Sequence, residues 1–315
     1  MHNTSWDVII IGGGSAGLSA ALQLGRSRRS VLVLDSGAPR NRFAPHMHGV
    51  LGRDGWSPLD LLAAGRDEVE RYGVVIESAD VATASLGDGG FEVVVDGGRR
   101  HTARRMLVAT GVRDRLPDLP GLAEHWGTGA AVCPYCDGWE VRDRRIAVLA
   151  SGAMSVHQAQ LLRQLSPQVT YFRNGTELPA DAHAGLVARG IAVESRAVVR
   201  VLADEHGGLS GIRLADDVDV PIDSIFLHPT PVPNDGVLRA LGAKTAEHAG
   251  VDWVAVDGEG RTNVPGLWAA GNVVSPRTSV PIASAGGNAA GAMINADLVE
   301  EDVRHAVAAS GASAA

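Results

Sequence analysis

The residues best equipped for chemistry are Cys133 and Cys136, held in the run Cys133-Pro134-Tyr135-Cys136-Asp137; they are the chain's two cysteines. Thiols at this spacing can close a small disulfide ring and reopen it by thiolate exchange, with Pro134 stiffening the ring. A nearby helix N-terminus would favour the thiolate. Incidental buried cysteines are the plain alternative. A structural zinc site needs four N or S ligands, yet there is no second Cys-x-x-Cys, and His125 and His157 lack ligand spacing, so no metal is expected. Asp137 could carry a proton to or from a leaving thiolate, or could simply be a turn or N-cap carboxylate.

A second set of residues could hold a phosphate. Gly12-x-Gly14-x-x-Gly17 follows the apolar run Val8-Ile9-Ile10-Ile11 and precedes a helical stretch, with Asp35 beyond it. Gly12 suits a tight turn, Gly14 lets the backbone approach a pyrophosphate at a helix N-terminus, and Gly17 permits close helix packing. Asp35 can accept hydrogen bonds from an adenosine ribose. Alone the pattern is weak and could be a packing turn, but between a strand and a helix it reads as nucleotide binding.

These loops need elements to position them. Residues 8–11 predict a buried strand, 16–25 a helix and 31–34 a second strand ending at Asp35, together one βαβ unit. Residues 146–149, a small-residue turn, a helix over 156–165 and a strand over 169–172 predict another. Gly14 to Asp35 and Gly152 to Arg173 both span 21 residues, which predicts a duplicated Rossmann-type organisation. Between the units, residues 91–95 alternate and turn at Asp96-Gly97-Gly98, and a strand from Met106 reaches a turn at Gly111. The Pro-rich stretches 116–121 and 228–233 read as crossings between domains. The predicted fold class is therefore α/β, with two Rossmann-like, doubly wound, three-layer domains. A first domain, 1–116 and 243–315, is interrupted by a smaller one, 117–242, that carries the cysteines. A helix is predicted over 282–299, and the tail 306–315 is predicted to fray.

With 315 residues, 45% hydrophobic and 20% charged, the chain can build a substantial core, which excludes disorder, collagen and small disulfide scaffolds. The net charge of -8, with Lys244 the only lysine among 28 basic residues, gives no footprint for nucleic acid. Residues 8–24 are apolar, but Asp7 precedes them and the glycine cluster interrupts them, unlike a secretory leader. No other stretch approaches bilayer-spanning length, so a cytoplasmic protein without membrane contact is expected.

Taken in order, three segments resemble the low-molecular-weight thioredoxin reductase family over nearly the whole chain. They are Gly12-Gly13-Gly14-Ser15-Ala16-Gly17, Cys133-Pro134-Tyr135-Cys136-Asp137-Gly138-Trp139-Glu140 and Pro265-Gly266-Leu267-Trp268-Ala269-Ala270-Gly271-Asn272. The resemblance implies a homodimeric flavoprotein whose FAD domain is interrupted by a pyridine-nucleotide domain bearing the Cys-x-x-Cys-Asp motif. It implies that Cys136 faces the flavin, Cys133 exchanges with substrate and Asp137 is the acid-base group. It places Gly12, Gly14, Ser15, Ala16, Gly17, Asp35, Arg42, His48, Val81, Gly111, Gly271, Asn272 and Val280 around FAD.

The departures from that family are informative. Where reductases carry Gly-x-Gly-x-x-Ala for the NADPH pyrophosphate, this chain has Ala150-Ser151-Gly152-Ala153-Met154-Ser155, and Arg173-Asn174-Gly175 replaces a His-Arg-Arg cluster for the 2'-phosphate. Gly271-Asn272 stands for Gly-Asp and Ser279-Val280 for Arg-Gln, changes that leave FAD binding possible. Residues 40–55 resemble the bacterial and fungal branch that includes the gliotoxin and holomycin dithiol oxidases, although Asp137 is reductase-like where that branch often has His. His46 and His48 could help deprotonate a substrate thiol or merely hydrogen-bond backbone or cofactor. The expectation is an FAD-dependent oxidase that closes a disulfide in a small-molecule dithiol and passes the electrons to O2, giving H2O2. The alternatives are an NADPH-dependent reductase of thioredoxin or another disulfide, and a non-catalytic flavin redox sensor.

Overall fold

The computed structural model describes residues 4–152 and 154–312. The chain divides into two compact units, one formed by Met1–Arg40, Leu59–Arg113 and Pro231–Ala315, the other by Asn41–Pro58 and Asp114–Thr230.

The first unit opens with β1 (Thr4–Ile11), α1 (Ser15–Arg26) and β2 (Val31–Asp35), the βαβ order expected from the sequence. It continues through α2 (Pro58–Glu70), β3 (Val75–Ser78), β4 (Val81–Gly87), β5 (Gly90–Val95) and β6 (Arg100–Val108). The sheet order is β3-β2-β1-β6-β5-β4. Strands β1, β2, β3 and β6 run parallel, whereas β4, β5 and β6 form the antiparallel meander read from residues 91–98. The apolar run in β1 is continuous because both faces are covered. Val8 and Ile10 enter one core with Leu18, Ala20 and Leu24 of α1, while Ile9 and Ile11 enter the other with Met106 and Val108. After β6 the chain leaves along β7 (Val112–Arg115).

In the second unit, β8 (Ala130–Ala131) leads into the short helix α3 (Pro134–Asp137), and then come β9 (Ile146–Leu149), α4 (Met154–Leu162) and β10 (Val169–Phe172). They are followed by α5 (Ala180–Ala188), β11 (Ala192–Glu194), an antiparallel set β12 (Val198–Ala203), β13 (Leu209–Leu214) and β14 (Asp219–Pro221), and β15 (Ser224–Leu227). The main sheet, β11-β10-β9-β15-β8, is wholly parallel. The second helix of the duplicated pattern thus begins at Met154 and ends at Leu162, shorter than the predicted 156–165 because residues 163–165 turn back toward β10.

The return strand β16 (Thr230–Pro233) pairs with β7, so the two crossings lie side by side. The units part at Arg113 and again at Pro231, rather than after residues 116 and 242. The reason is packing: Leu238 of α6 (Gly236–Ala240) and Ala243 are buried in the core of the first unit. The chain then forms the hairpin β17 (Thr245–His248) and β18 (Val251–Val254), adds β19 (Leu267–Ala269) parallel to β6, and ends in α7 (Val280–Ala312). The expectation of a frayed tail over 306–315 is overturned for residues 306–312, which are helical, while 313–315 lie outside the described residues. Alanine-rich sequence holds helix by intrinsic propensity even where little packs against it. No helix among the described residues is long and apolar enough to cross a membrane.

Candidate functional site

At the C-terminal end of β1 the three glycines behave as their spacing requires. Gly12 has φ 104°, and a Cβ there would lie 2.5 Å from the Ala109 carbonyl oxygen. At Gly17 a Cβ would collide with the Gly12 carbonyl, so α1 can lie this close to the strand only with glycine. Around Gly14 nothing lies within 4 Å of an added Cβ, and this residue caps α1 with no side-chain hydrogen bond. The first N–H groups of a helix, here those of Ser15, Ala16 and Gly17, have no intrahelical partner, so the start of α1 combines free donors of the helix end with the open space at Gly14, a condition for anion binding. Asp35 ends β2 beside them, accepting the Gly13 N–H at 3.0 Å and pairing with Arg66 of α2. Arg66 was not visible as a partner in the sequence.

Other expected cofactor residues gather at the same edge of this unit. The Ala79 N–H donates to the Asp35 carbonyl, drawing the approach to Val81 toward the end of β2. Gly111 follows β6 at φ 70° and accepts the Asn234 N–H, while Thr110 and Asn234 exchange two further hydrogen bonds of 2.7 and 2.9 Å. A Cβ on Gly271 would come within 3.0 Å of Ala16 Cβ, so the end of β19 and the start of α1 pack together. Asn272 points its amide nitrogen at the carbonyls of Ser275 and Thr278, both at 3.0 Å, ordering the turn before Val280 opens α7. These residues fit a dinucleotide: the pyrophosphate would lie on the α1 N-terminus, and Asp35 would face the ribose.

In the second unit the cysteine motif stands at the C-terminal end of β8, on the edge of the parallel sheet where α/β folds bind and react. Cys133 is the N-cap of α3 and Pro134 its first residue, where no N–H is needed. Gly138 ends the turn against Leu165, whose Cδ1 would sit 2.6 Å from any added Cβ. Buried Gln158 of α4 donates to the Val132 carbonyl at 2.7 Å and fixes the residue before Cys133. The two sulfurs lie 2.6 Å apart. A hydrogen bond from the Cys136 thiol, helped by the Cys136 and Tyr135 N–H groups and opposed by burial, lowers the Cys133 thiol to about 7. Burial and the charge of Glu140 push the Asp137 carboxyl up to about 6, against an opposing effect from His48. The pair therefore combines a thiolate at neutral pH with a carboxyl that still exchanges protons there. Among the described residues no cluster of three His, Cys, Asp or Glu side chains could hold a metal ion.

Arg42 and His48 belong by packing to this second unit, within the segment Asn41–Pro58. Arg42 stacks on Phe43 at 4.2 Å, and His48 stands 3.4 Å from both Asp54 and Glu140. The structure thus sets His48 against Glu140, three residues after Asp137, a contact the sequence does not predict. Glu140 lies three residues after Asp137 in a turning segment, a spacing that can place both on one face.

The loop after β9 repeats the first nucleotide loop only in part. Ala150 N–H donates to the Phe172 carbonyl as Gly12 N–H donates to Leu34, so the strand ends correspond. However, Ala150 is absent from the left-handed residues, so this turn cannot share the shape Gly12 makes. Ser155 is fully buried where Gly17 has no side chain, and its Oγ accepts the Ser151 N–H at 3.0 Å. Arg173, at the position of Asp35, turns one guanidinium nitrogen to the Thr176 carbonyl, and Asn174 holds the Val198 N–H with its side chain.

Known proteins share this arrangement. Residues 6–297 match the family described as pyridine nucleotide-disulphide oxidoreductase. The chain is 32% identical over 307 residues to a thioredoxin reductase, tcpT, of Claviceps purpurea, covering 94% of this chain and 95% of that protein. It is 30% identical over 315 residues to thioredoxin reductase sirT of Leptosphaeria maculans, covering 95% and 96%. Among solved structures it resembles HlmI, with 43% identity, a TM-score of 0.93 and coverage of 100% and 99%. Proteins of this kind are FAD-binding flavoproteins. The chain belongs to the pyridine nucleotide-disulphide oxidoreductase family, as a thioredoxin reductase-like FAD enzyme.

Proposed function

We propose that this protein is an FAD-dependent dithiol oxidase that closes a disulfide in a small-molecule dithiol, with O2 as final acceptor. A substrate thiolate attacks Cys133 Sγ of the oxidised pair; the Cys133–Cys136 bond breaks, a mixed disulfide forms, and Cys136 leaves as thiolate. The second substrate thiol then attacks the mixed disulfide, releasing the substrate disulfide and a reduced pair. Asp137 takes up and returns the two protons in turn. FAD, when bound, accepts the electron pair and delivers it to O2, so that dithiol plus O2 becomes disulfide plus H2O2. We further propose that the two parallel βαβ units are two Rossmann-type domains, that only the first binds a dinucleotide, and that the protein works as a homodimer in the cytoplasm.

The observation that carries this reading is the second loop, where Ala150 replaces a left-handed glycine and the Ser155 hydroxyl fills the space beside Ser151. A loop so altered is a poor cradle for a nicotinamide dinucleotide, which leaves a dithiol as the electron source. The names of tcpT and sirT favour a second reading, an NADPH-dependent disulfide reductase using the same exchange in reverse. Anaerobic mixing separates the two. A small dithiol should bleach the flavin and NADPH should not; rapid bleaching by NADPH alone overturns the oxidase assignment. Sustained O2 uptake with a dithiol over many turnovers would also exclude a mere redox sensor.

A further inference from the structure

We propose that His48 is a positioning residue of the thiol-exchange site, held by its loop between Asp54 and Glu140 so that its charge acts on the Asp137 carboxyl beside the cysteine pair. It rests on the reading of Cys133 and Cys136 as a redox pair, but not on the direction in which electrons run.

The geometry comes first. Residues 41–58 form a closed tongue: Met47 N–H donates to the Trp56 carbonyl, Gly55 N–H to the Met47 carbonyl, and His46 Nδ1 lies 3.1 Å from the Gly55 carbonyl. The tongue is seated on the second unit, where Phe43 packs so closely on Gly127 that a Cβ there would stand 2.6 Å from Phe43 Cβ. At its tip His48 reaches Asp54 with Nδ1 and Glu140 with Nε2, both at 3.4 Å, and Asp54 is itself fixed by the Gly49 N–H at 2.8 Å. Three arginines of these elements lie over aromatic faces, Arg42 over Phe43 and Arg53 over Trp56 at 4.2 Å and Arg142 over Trp139 at 4.3 Å. Among these described groups, His48 is the cation that acts on the carboxylate pair.

Two neighbouring carboxylates cannot both ionise freely, so one retains its proton to higher pH. Here burial and then Glu140 raise the Asp137 carboxyl, and His48 lowers it. Asp137 in turn acts on Cys133, whose thiol it raises. A proton arriving from a substrate thiol therefore meets a carboxylate on which residue 48 acts, against burial and Glu140. The His48 side chain is 24% exposed and Asp54 is 66% exposed, so solvent reaches both partners of this contact.

The test is a titration of the Asp137 carboxyl by 13C NMR in the full FAD-loaded chain, its signal identified by comparison with Asp137→Asn. Removing the cation in His48→Gln should move the midpoint up and cut the carboxylate fraction near pH 6 by roughly threefold, while Glu140→Gln should move it down by a similar amount. The double variant should return close to the parent, and His48→Arg, which keeps a cation, should resemble the parent. The acid limb of the pH profile for thiol–disulfide turnover should follow the same order. Midpoints that stay fixed, or that move the same way in both single variants, overturn the proposal. A dithiol-oxidase assignment that failed would leave the titration result standing.

Discussion

The side-chain amide of Gln158 donates to the carbonyl oxygen of Val132 at 2.7 Å, tying a helix of the second βαβ unit to the residue before the reactive Cys133. Gln158→Leu keeps the volume but strands that carbonyl, which costs about 1 to 3 kcal/mol. The expected outcome is a lower melting temperature together with slower dithiol turnover, and unchanged FAD content. A variant as active and as stable as the parent would show that the tie does not position the motif.

Gly14→Val should give colourless protein. The side chain would occupy the open space at the start of α1, where a pyrophosphate would lie if this loop holds FAD. Absorption spectra of the purified variant check this, and normal flavin content would relocate the cofactor.

Cys133→Ser and Cys136→Ser should each abolish dithiol turnover while leaving FAD bound. With its thiol at about 7, Cys133 should be alkylated by iodoacetamide along a pH curve centred near neutrality, well below that of an ordinary thiol. Its reactivity in reduced protein should also fall in Cys136→Ser, because that change alters the sulfur neighbour that most favours the thiolate. Alkylation rates between pH 5 and 10 decide the matter.

Asp137 holds its proton more tightly in the folded protein, at about 6, than the ordinary 3.8 of an unfolded chain. Between those values the native state binds more protons, so its stability falls as pH rises from about 4 to 6 and stays lower above. Asp137→Asn should therefore raise stability by about 1 to 3 kcal/mol at pH 7.5 and change little at pH 3.5, while eliminating turnover. Urea denaturation at the two pH values measures it; equal effects at both would show that the carboxyl is not strained by burial.

NADPH should produce no saturable binding heat at micromolar concentration. Ala150→Gly combined with Ser155→Ala, which reopens the turn and frees the Ser151 N–H, should gain measurable affinity. Calorimetry on both proteins tests the point, and tight binding by the parent would promote the reductase reading.

Much of this architecture was legible in the sequence because it rests on local rules. The strands at Val8 and Ile146 are continuous apolar runs buried on both faces, and each glycine of the first loop has a steric reason of its own. What stayed hidden depends on contacts between distant segments. No periodicity reveals that Arg66 meets Asp35, that Leu238 returns to the first core, or that residues 41–58 pack beside residue 127. His48 was singled out as a cofactor residue, and its two carboxylate contacts come from a seating that local pattern cannot report.

The seating of the tongue also has a consequence for the order in which the protein is made. Phe43 leaves the ribosome well before Gly127, the residue it packs on, and at ordinary elongation rates the interval is roughly 4 to 17 s. Throughout that time Phe43 lacks the backbone against which it packs in the folded unit. It follows too that the cysteine-bearing unit is not a cassette. A gene fusion cut at the two crossings would carry Cys133, Cys136 and Asp137 into a new host protein and leave His48 behind.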